Sequence, residues 1–265
     1  MAVRSATINV MAATALKAAR GLIRDFGEVE QLQVSVKGPA DFVSSADLKA
    51  EKIIRGELAK GRPGYGFLME ESGPTAGADG RHRWIVDPLD GTTNFLHGIP
   101  QFCVSIGLER DGDFVAGVVY DPAKDEMFVA ERGKGAYLNN RRIRVAGRNE
   151  FSQALIGIAT PHLGRQGHAG FLKELNVVMA RAAATRRFGA AALDIAYVAS
   201  GRLDAFWERS LNSWDFGAAS VLVREAGGVF SALDGKKLLV DSRDVICGNE
   251  TMHSELGALI KSASA

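Results

Sequence analysis

The sequence predicts a layered fold of the α/β or α+β class, in which helices cover the faces of β-sheets. Short apolar runs typical of strands alternate with amphipathic helical segments along the whole chain, without an internal repeat or a low-complexity linker. The 265 residues are 46% hydrophobic and 24% charged, which supports a core of ordinary size. We expect one compact unit over residues 1–265, with halves of about 1–150 and about 151–265.

The N-terminal half begins with two predicted helices. Residues 6–26 and 46–59 carry apolar side chains at helical spacing, and Gly61 ends the second helix. Short apolar runs then predict five strands: 66–69, 84–86, 102–108, 114–120 and 127–130. The dipeptide Asn139-Asn140 predicts a tight hairpin between two further strands.

The C-terminal half contains the same two kinds of element. Its predicted strands are 154–159, 203–207, 229–232 and 245–247. Its predicted helices are 171–182, 190–199, 215–226 and 250–260. Gly227-Gly228 ends the third of these helices.

Net charge and cysteine content exclude several classes of function. The formal net charge is +1, so no overall field attracts nucleic acid or an anionic membrane, and an anionic substrate has to be bound locally. The only cysteines, Cys103 and Cys247, form no CxxC pair, which argues against a disulfide framework and a zinc site. We find no signal peptide and no apolar stretch long enough to span a membrane, so we expect a cytoplasmic protein.

Acidic residues gather at the ends of predicted elements. They lie beside turn signals in four places: Glu70 with Glu71, Asp87 with Asp90, Asp215, and Asp41 with Asp47. Ionised carboxylates are costly to bury unless they are paired or bind a cation. Oxygen ligands suit magnesium, whereas zinc would favour histidine or cysteine. The sequence therefore predicts a magnesium site.

The segment WIVDPLDGTTNF, residues 84–95, joins several of these features. On a regular strand Asp87 and Asp90 would point to opposite faces, so we predict a tight turn at Pro88 that lets both reach one pair of metal ions. The Leu89 carbonyl adds a further oxygen ligand. Residues 91–94 predict the start of a helix, whose free N–H groups would receive a phosphate. This combination favours phosphate-ester chemistry over sugar or peptide hydrolysis.

Two motifs resemble the signatures of the inositol monophosphatase family, within the lithium-sensitive, magnesium-dependent phosphatases. They are WIVDPLDGTTNF at residues 84–95 and WDFGAASVLVREAGG at residues 214–228. Segments 37–47, 67–72 and 188–194 and the region of Glu208 match in the same order, so the resemblance covers nearly the whole chain. It implies an alternating αβαβα sandwich of the inositol monophosphatase and fructose-1,6-bisphosphatase type. It also implies a homodimer with two or three Mg²⁺ ions per site.

The resemblance also implies a role for each site residue. Glu70, Asp87 and the Leu89 carbonyl would hold the first metal. Asp87, Asp90 and Asp215 would hold the second, and a third ion would rest on Glu70 and water. Thr92, paired with Asp47, would orient and activate the attacking water, with Glu70 as a further catalytic residue. The implied substrate contacts are Asp90, Gly91, Thr92, Thr93, Ala191 and Glu208.

The mechanism implied by the resemblance is a direct hydrolysis. Metal-activated water would attack phosphorus in line, and a second metal would stabilise the leaving alkoxide. No covalent phosphoenzyme is implied.

Simpler structural roles are open for the same residues. Asp215 is also suited to capping a helix, and Asp47 to the first turn of one, where a negative charge is favoured. Thr92 and Thr93 are also common turn residues, and Glu208 beside Arg209 is compatible with a surface ion pair.

Three hypotheses for function remain open. The first is hydrolysis of myo-inositol 1-phosphate by an inositol-phosphate phosphatase. The second is hydrolysis of another small ester, such as histidinol phosphate, fructose 1,6-bisphosphate or another sugar phosphate, since segment 160–174, with Arg165 and Lys173, could reshape the pocket rim. The third is a regulatory, RNA-associated binding protein on a phosphatase scaffold, with the basic clusters Arg141-Arg142-Arg144 and Arg186-Arg187 as contacts. The near-zero net charge and the complete set of acids weigh against nucleic acid as a partner.

Overall fold

Helices and sheets alternate in five layers in the computed structural model, which describes residues 5–28, 34–38 and 41–263. The first layer contains α1 (Ala6–Phe26) and α2 (Ser45–Gly61), and the short α3 (Thr92–Leu96) lies near them. The third and fifth layers are also helical: α5 (Ala191–Ala199) and α6 (Ser213–Glu225) form the third, and α4 (His168–Met179) and α7 (Glu250–Ala263) form the fifth. The two sheets separate them, so the αβαβα sandwich is confirmed.

The larger sheet has eight strands. In chain order they are β3 (Gly66–Met69), β4 (Gly73–Thr75), β5 (His82–Asp90), β6 (Cys103–Arg110), β7 (Asp113–Asp121), β8 (Glu126–Glu131), β9 (Gly135–Leu138) and β10 (Arg141–Arg142). Their spatial order is β10-β9-β8-β7-β6-β5-β3-β4, antiparallel except for the parallel pair β3 and β5. A separate hairpin pairs β1 (Val34–Gly38) with β2 (Asp41–Ser44).

The smaller sheet has five strands. They are β11 (Leu155–Ile158), β12 (Ala184–Arg186), β13 (Ala205–Glu208), β14 (Val229–Ala232) and β15 (Val245–Gly248). Their order is β12-β11-β13-β15-β14. Strand β11 is parallel to both of its neighbours, whereas the pairings of β15 are antiparallel.

The first helical layer forms as its apolar pattern predicts. The Ser5 side chain caps α1 by accepting a hydrogen bond of 3.1 Å from the Ile8 backbone N–H. The apolar face of the helix then buries Ile8, Met11 and Leu22 in one core with side chains of the larger sheet. This helix has the predicted bounds, 6–26. No helix in the described part of the chain is both long enough and apolar enough to cross a membrane.

The central layer explains why α6 is rich in small residues. A Cβ atom at Gly117 of β7 would lie 2.1 Å from the carbonyl oxygen of Ala218, and one at Gly107 of β6 would lie 3.1 Å from the Ala218 nitrogen. The backbone of α6 therefore lies directly against the larger sheet. The motif WDFGAAS supplies residues small enough for this approach.

Several predicted boundaries shift in the structure. The strand predicted at 84–86 extends over His82–Asp90, and the helix predicted at 171–182 is His168–Met179. The helix predicted to open at Asp215 begins at Ser213. The hairpin at Asn139-Asn140 is confirmed, with φ values of 45° and 67° that match a type I′ turn.

Candidate active site

The end of strand β5 brings two acids together. Asp87 pairs with Ser105 of β6 and Asp90 pairs with Cys103, so three steps along β5 match two along β6. The extra residue forms an irregularity of the β-bulge kind, which offsets the alternation of side chains along the strand. The tight turn predicted at Pro88 is therefore wrong, because the chain stays in the sheet and the bulge brings the two carboxylates together.

Asp87 lies at the centre of the acidic cluster. Its side chain is 3% exposed, and its Oδ1 accepts a hydrogen bond of 2.9 Å from the Leu89 N–H. Burial and the nearby carboxylates of Glu70, Asp90 and Asp215 raise the pKa of Asp87 well above its ordinary value. These groups therefore form an electrostatic cluster that positive charge would stabilise.

The parallel pairing of β3 and β5 places Glu70. Met69, the last residue of β3, pairs with Val86, and the Glu70 N–H continues the ladder with a bond of 3.1 Å to the Val86 carbonyl. Glu70 therefore lies beside Asp87, at the same edge of the sheet. At the next residue, the Glu71 N–H donates a hydrogen bond of 2.9 Å to a carboxylate oxygen of Glu51 on α2.

Asp90 caps a helix that belongs to the other half of the chain. Its Oδ1 accepts from the Ala191 N–H at 3.2 Å and its Oδ2 from the Ala192 N–H at 2.8 Å. Helix α5 has no side-chain cap of its own, since its N-cap residue is Ala190. Burial raises the pKa of Asp90 to about 6. Asp90 therefore joins the larger sheet to the central helical layer.

Gly91 makes the step from β5 into α3. Its φ of 90° lies in the left-handed region, and a Cβ atom there would be 2.9 Å from the Gln101 carbonyl oxygen. Both facts require glycine at this position. The single turn of α3 then presents Thr92 at its first position.

The Thr92 hydroxyl joins α3 to α2. It donates toward the Leu89 carbonyl at 2.9 Å and toward Oδ1 of Asp47 at 3.1 Å, so two acceptors share its one proton. Asp47 also belongs to the capping box of α2, where its Oδ2 accepts from the Ser44 N–H at 2.9 Å. Burial raises the pKa of Asp47. Asp47 therefore fills both roles at once: its Oδ2 caps α2 and its Oδ1 contacts Thr92.

Asp215 likewise combines two roles. It is the third residue of α6, and its Oδ2 accepts a capping bond of 2.7 Å from the Asn212 N–H. The Ser105 hydroxyl donates 3.1 Å to the Trp214 carbonyl and fastens the start of α6 to β6. Burial is the largest cause that raises the pKa of Asp215 to about 7, and the carboxylate of Asp90 adds to it.

Glu208 faces inward rather than into solvent. Arg209 pairs with Glu174 and does not form the surface ion pair with Glu208 considered from the sequence. The Glu208 side chain is 13% exposed, and Nη1 of Arg165 is 3.9 Å from its Oε1. Burial, followed by the charge of Asp215, raises the pKa of Glu208 to about 8.

These side chains surround a cavity of about 190 Å³. The predicted site residues that line it are Glu70, Asp90, Gly91, Thr92, Thr93, Ala191, Glu208 and Asp215. The other predicted site residues, Asp47, Asp87 and Leu89, are buried. A larger groove of about 1090 Å³ beside α7 is lined by none of the predicted site residues.

Two positioning residues were missed in the sequence. Asn94 of α3 donates to the carbonyls of Gln101 at 2.9 Å and Phe188 at 2.8 Å, which ties α3 to the loop before α5. Glu51 holds the chain after Glu70, as described above. Its sequence signal is its spacing, because it follows Asp47 by four residues and falls on the buried face of α2.

The donor set of the cavity is suited to a hard cation. Across residues 5–28, 34–38 and 41–263, no three histidine, cysteine, aspartate or glutamate side chains stand in an arrangement that could hold a metal as placed. The chemistry of the donors nevertheless fits Mg²⁺, since they are carboxylates whose pKa values rise through burial and mutual repulsion. The side chains that could hold such an ion are Glu70, Asp87, Asp90 and Asp215.

The sequence profile described as the inositol monophosphatase family matches residues 4–265. The chain belongs to the inositol monophosphatase family. It is therefore a phosphatase of a metal-dependent family that acts on small phosphate esters.

Individual members of the inositol monophosphatase family are closely similar to this chain. The "Inositol-1-monophosphatase" of Mesorhizobium japonicum is 58% identical over 258 residues, 97% of each chain. The crystal structure of "extragenic suppressor protein suhB" from Bartonella henselae superposes with a TM-score of 0.94 at 55% identity, covering 97% of this chain and 99% of that one. The "Nus factor SuhB" of Pseudomonas aeruginosa is 39% identical over 91% of each chain. Relatives with different names thus share the fold and length of this chain.

Proposed function

We propose that the chain hydrolyses a small phosphate monoester with Mg²⁺ bound, and that myo-inositol 1-phosphate is its substrate. The observation that carries the proposal is the convergence of Glu70, Asp87, Asp90 and Asp215 beside the Thr92–Asp47 pair. The name of the Mesorhizobium japonicum relative, at 58% identity, supports the choice of substrate.

Two or three Mg²⁺ ions would be held by the four carboxylates and the Leu89 carbonyl. Bound Mg²⁺ supplies positive charge to the phosphate oxygens and lowers the pKa of water. The same positive charge would favour ionised carboxylates, whose pKa values are raised in its absence.

The Thr92 hydroxyl is suited to orienting the attacking water. Its proton is directed toward Asp47 and the Leu89 carbonyl, so its oxygen lone pairs remain to accept a hydrogen bond from water. Asp47 cannot turn freely, because Ser44 holds its second oxygen. A water molecule bound to Thr92 would therefore have a defined orientation, which lowers the entropic part of the barrier.

The part of the cavity that Glu208 and Ala191 line is suited to a polyol. Glu208 is largely buried, with Arg165 at 3.9 Å. A buried carboxyl group is well suited to accept hydrogen bonds from substrate hydroxyls. Histidinol phosphate, fructose 1,6-bisphosphate and other sugar phosphates are the alternative substrates, since Arg165 at the rim could serve another anionic group.

A second candidate function is regulatory binding to RNA. The names of relatives such as the Pseudomonas aeruginosa "Nus factor SuhB" favour it, together with the exposed Arg141 and Arg142 of β10. The cavity lined by Glu70, Asp90, Glu208 and Asp215, with Asp87 buried beside them, supports catalysis as the primary function. The two functions would use different surfaces and are tested separately.

A panel of esters tests the proposal. Phosphate release is measured from myo-inositol 1-phosphate, histidinol phosphate and fructose 1,6-bisphosphate with Mg²⁺, with Mg²⁺ and Li⁺, and with a chelator. We expect the highest kcat/KM for the inositol ester, inhibition by Li⁺ and no release with the chelator. Equal, slow release from all three esters would contradict the inositol assignment, and no release from any would contradict catalysis.

Three further features belong to the same proposal. We place the protein in the cytoplasm as a homodimer, and treat residues 1–265 as a single domain. Sedimentation analysis tests the dimer, and a single cooperative unfolding transition tests the single domain.

A further inference from the structure

Asp194 is a buried acid of the cavity to which no role has yet been assigned. It lies in the first turn of α5, is 1% exposed and lines the cavity together with Glu208. Its Oδ1 has no hydrogen-bond partner among the residues that the structure describes. In the described part of the chain, the other buried side-chain atoms without a partner belong to Trp84, Gln101 and Glu131, and none of these three lines the cavity.

The backbone at Asp194 is held in the first turn of α5. The Asp194 N–H donates a hydrogen bond of 2.9 Å to the Ala190 carbonyl. Asn94 in turn holds the carbonyl of Phe188 at 2.8 Å. The unpaired oxygen therefore belongs to a buried side chain on a fixed segment of backbone, rather than to one that turns toward solvent.

An unpaired buried oxygen is unfavourable for folding, and most such atoms in native proteins have a partner. Among the described residues no cation forms an ion pair with Asp194, and the charges that act most strongly on it are the carboxylates of Asp90 and Glu208. Placing Asp90 and Glu208 beside Asp194 would be unfavourable if Asp194 had a purely structural role. Such a cost is expected where a side chain binds a ligand.

We propose that Asp194 is a specificity-determining residue, whose free carboxyl oxygen forms a hydrogen bond with a hydroxyl group on the alcohol portion of the substrate. The inference rests on the proposed function and adds a contact to it. Asp194 follows Ala191 by three residues in α5, so the two lie on the same face of that helix, and both line the cavity with Glu208. A hydroxyl group both donates and accepts, so it pairs with a carboxyl group in either protonation state.

This contact would separate substrates by their leaving groups. An ester with hydroxyl groups satisfies the Asp194 oxygen, whereas an aryl ester covers that oxygen and leaves it unpaired. A site built to bind a hydroxyl group discriminates strongly against an analogue that lacks one. The metal-binding carboxylates act on the phosphate group, so the selection by Asp194 should be independent of the chemistry at phosphorus.

Asp194→Ala and Asp194→Asn test the inference with two substrates, myo-inositol 1-phosphate and phenyl phosphate, which has no hydroxyl group. We expect Asp194→Ala to raise KM for the inositol ester about tenfold, the effect of one lost hydrogen bond, and to leave KM for phenyl phosphate unchanged or lower, since the oxygen that this ester leaves unpaired is gone. Asp194→Asn keeps the shape of the side chain and one acceptor, so its effect on KM should be smaller. If the alanine variant does not fold, the asparagine variant provides the test.

Asp204→Asn is the matched control. Asp204 is another buried aspartate of the same half of the chain, but it accepts from Arg148 and from the Leu155 N–H outside the cavity. We expect this change to leave the ratio of the two KM values as in wild type. Equal effects of Asp194→Ala and Asp194→Asn on both esters would show a structural role and overturn the inference while leaving the proposed function intact. A wild-type protein that cleaves neither ester would overturn both.

Discussion

The Asp47 carboxyl group lies 3.1 Å from the hydroxyl of Thr92, and thereby joins two residues 45 positions apart in the chain. The same carboxyl group completes the capping box of α2 through Ser44. The start of one helix therefore fixes the orientation of the hydroxyl at the start of another. The cap of α2 and the orientation of the Thr92 hydroxyl are consequently coupled in this protein.

Removing the Thr92 hydroxyl should impair turnover more than binding. We expect Thr92→Val to lower kcat by about 10²-fold, since the water loses its orienting partner, with a smaller effect on KM. Thr92→Ser restores the hydroxyl and should recover most of the activity. Steady-state phosphate release with saturating Mg²⁺ measures both parameters. A serine variant as slow as the valine variant would show that the methyl group, rather than the hydroxyl, is required.

Asp87 is the acid that the other carboxylates surround. We expect Asp87→Asn to lower kcat by about 10³-fold at saturating Mg²⁺, because several kcal/mol of charge stabilisation is lost. The variant should also be at least as stable as wild type without metal, since an amide cannot ionise beside the neighbouring carboxylates that raise the pKa of Asp87. Activity assays and thermal unfolding are the two measurements. Substantial activity in a folded variant would refute the central role of Asp87.

The raised pKa values of the cluster predict how its stability depends on pH. The pKa values of Asp90, Asp215 and Glu208 rise to about 6, about 7 and about 8, so the folded state holds protons that the unfolded state has lost. Their contribution to stability is therefore complete below the ordinary carboxyl pKa and is lost as pH rises through the raised values. In a chelator, the melting temperature should fall between about pH 5 and about pH 8.

Added Mg²⁺ should reverse this loss. The ion binds the ionised carboxylates, so the increase in melting temperature should be larger at about pH 8 than at about pH 5. Asp87→Asn should reduce that increase. An increase of equal size at both pH values would mean that the carboxylates bind the ion without losing protons, contrary to their raised pKa values.

The contact of α6 with the larger sheet makes a prediction about stability alone. Gly117→Ala should lower the free energy of unfolding by about 1–3 kcal/mol, because the new methyl group would meet the Ala218 carbonyl. Gly21→Ala in α1 is the control, since nothing lies within 4 Å of a Cβ atom there, and it should raise stability by up to about 1 kcal/mol. Urea unfolding measures both changes. Similar effects of the two substitutions would contradict the close packing of α6.

Much of the fold was predictable because its elements follow local patterns. Helix α1 and strand β14 have the predicted bounds, since apolar periodicity and flanking glycines define them. The bulge after Asp87 was not predicted, because it depends on pairing with β6 rather than on the local sequence. The third β-strand of the smaller sheet, β13, was predicted, but its place between β11 and β15 depends on contacts distant in the chain.

The candidate site was predictable in its members but not in its connections. The motifs and the family resemblance identified the acids, and the structure places them around one cavity. The capping of α5 by Asp90 was not predicted, since the two partners are 101 and 102 positions apart. Asp194 was also missed, because an acid in an apolar helix shows no partner in the sequence. The metal-binding roles of these residues remain predictions.

The capping of α5 by Asp90 has a consequence for the order of events during protein synthesis. When the ribosome has made only the larger sheet, the oxygens of Asp90 lack the N–H groups of Ala191 and Ala192, and Asp215 has not yet been added. The nascent chain therefore holds an incomplete cavity until most of its length has left the exit tunnel. Premature termination before α6 would leave a fragment whose acidic cluster lacks Asp215.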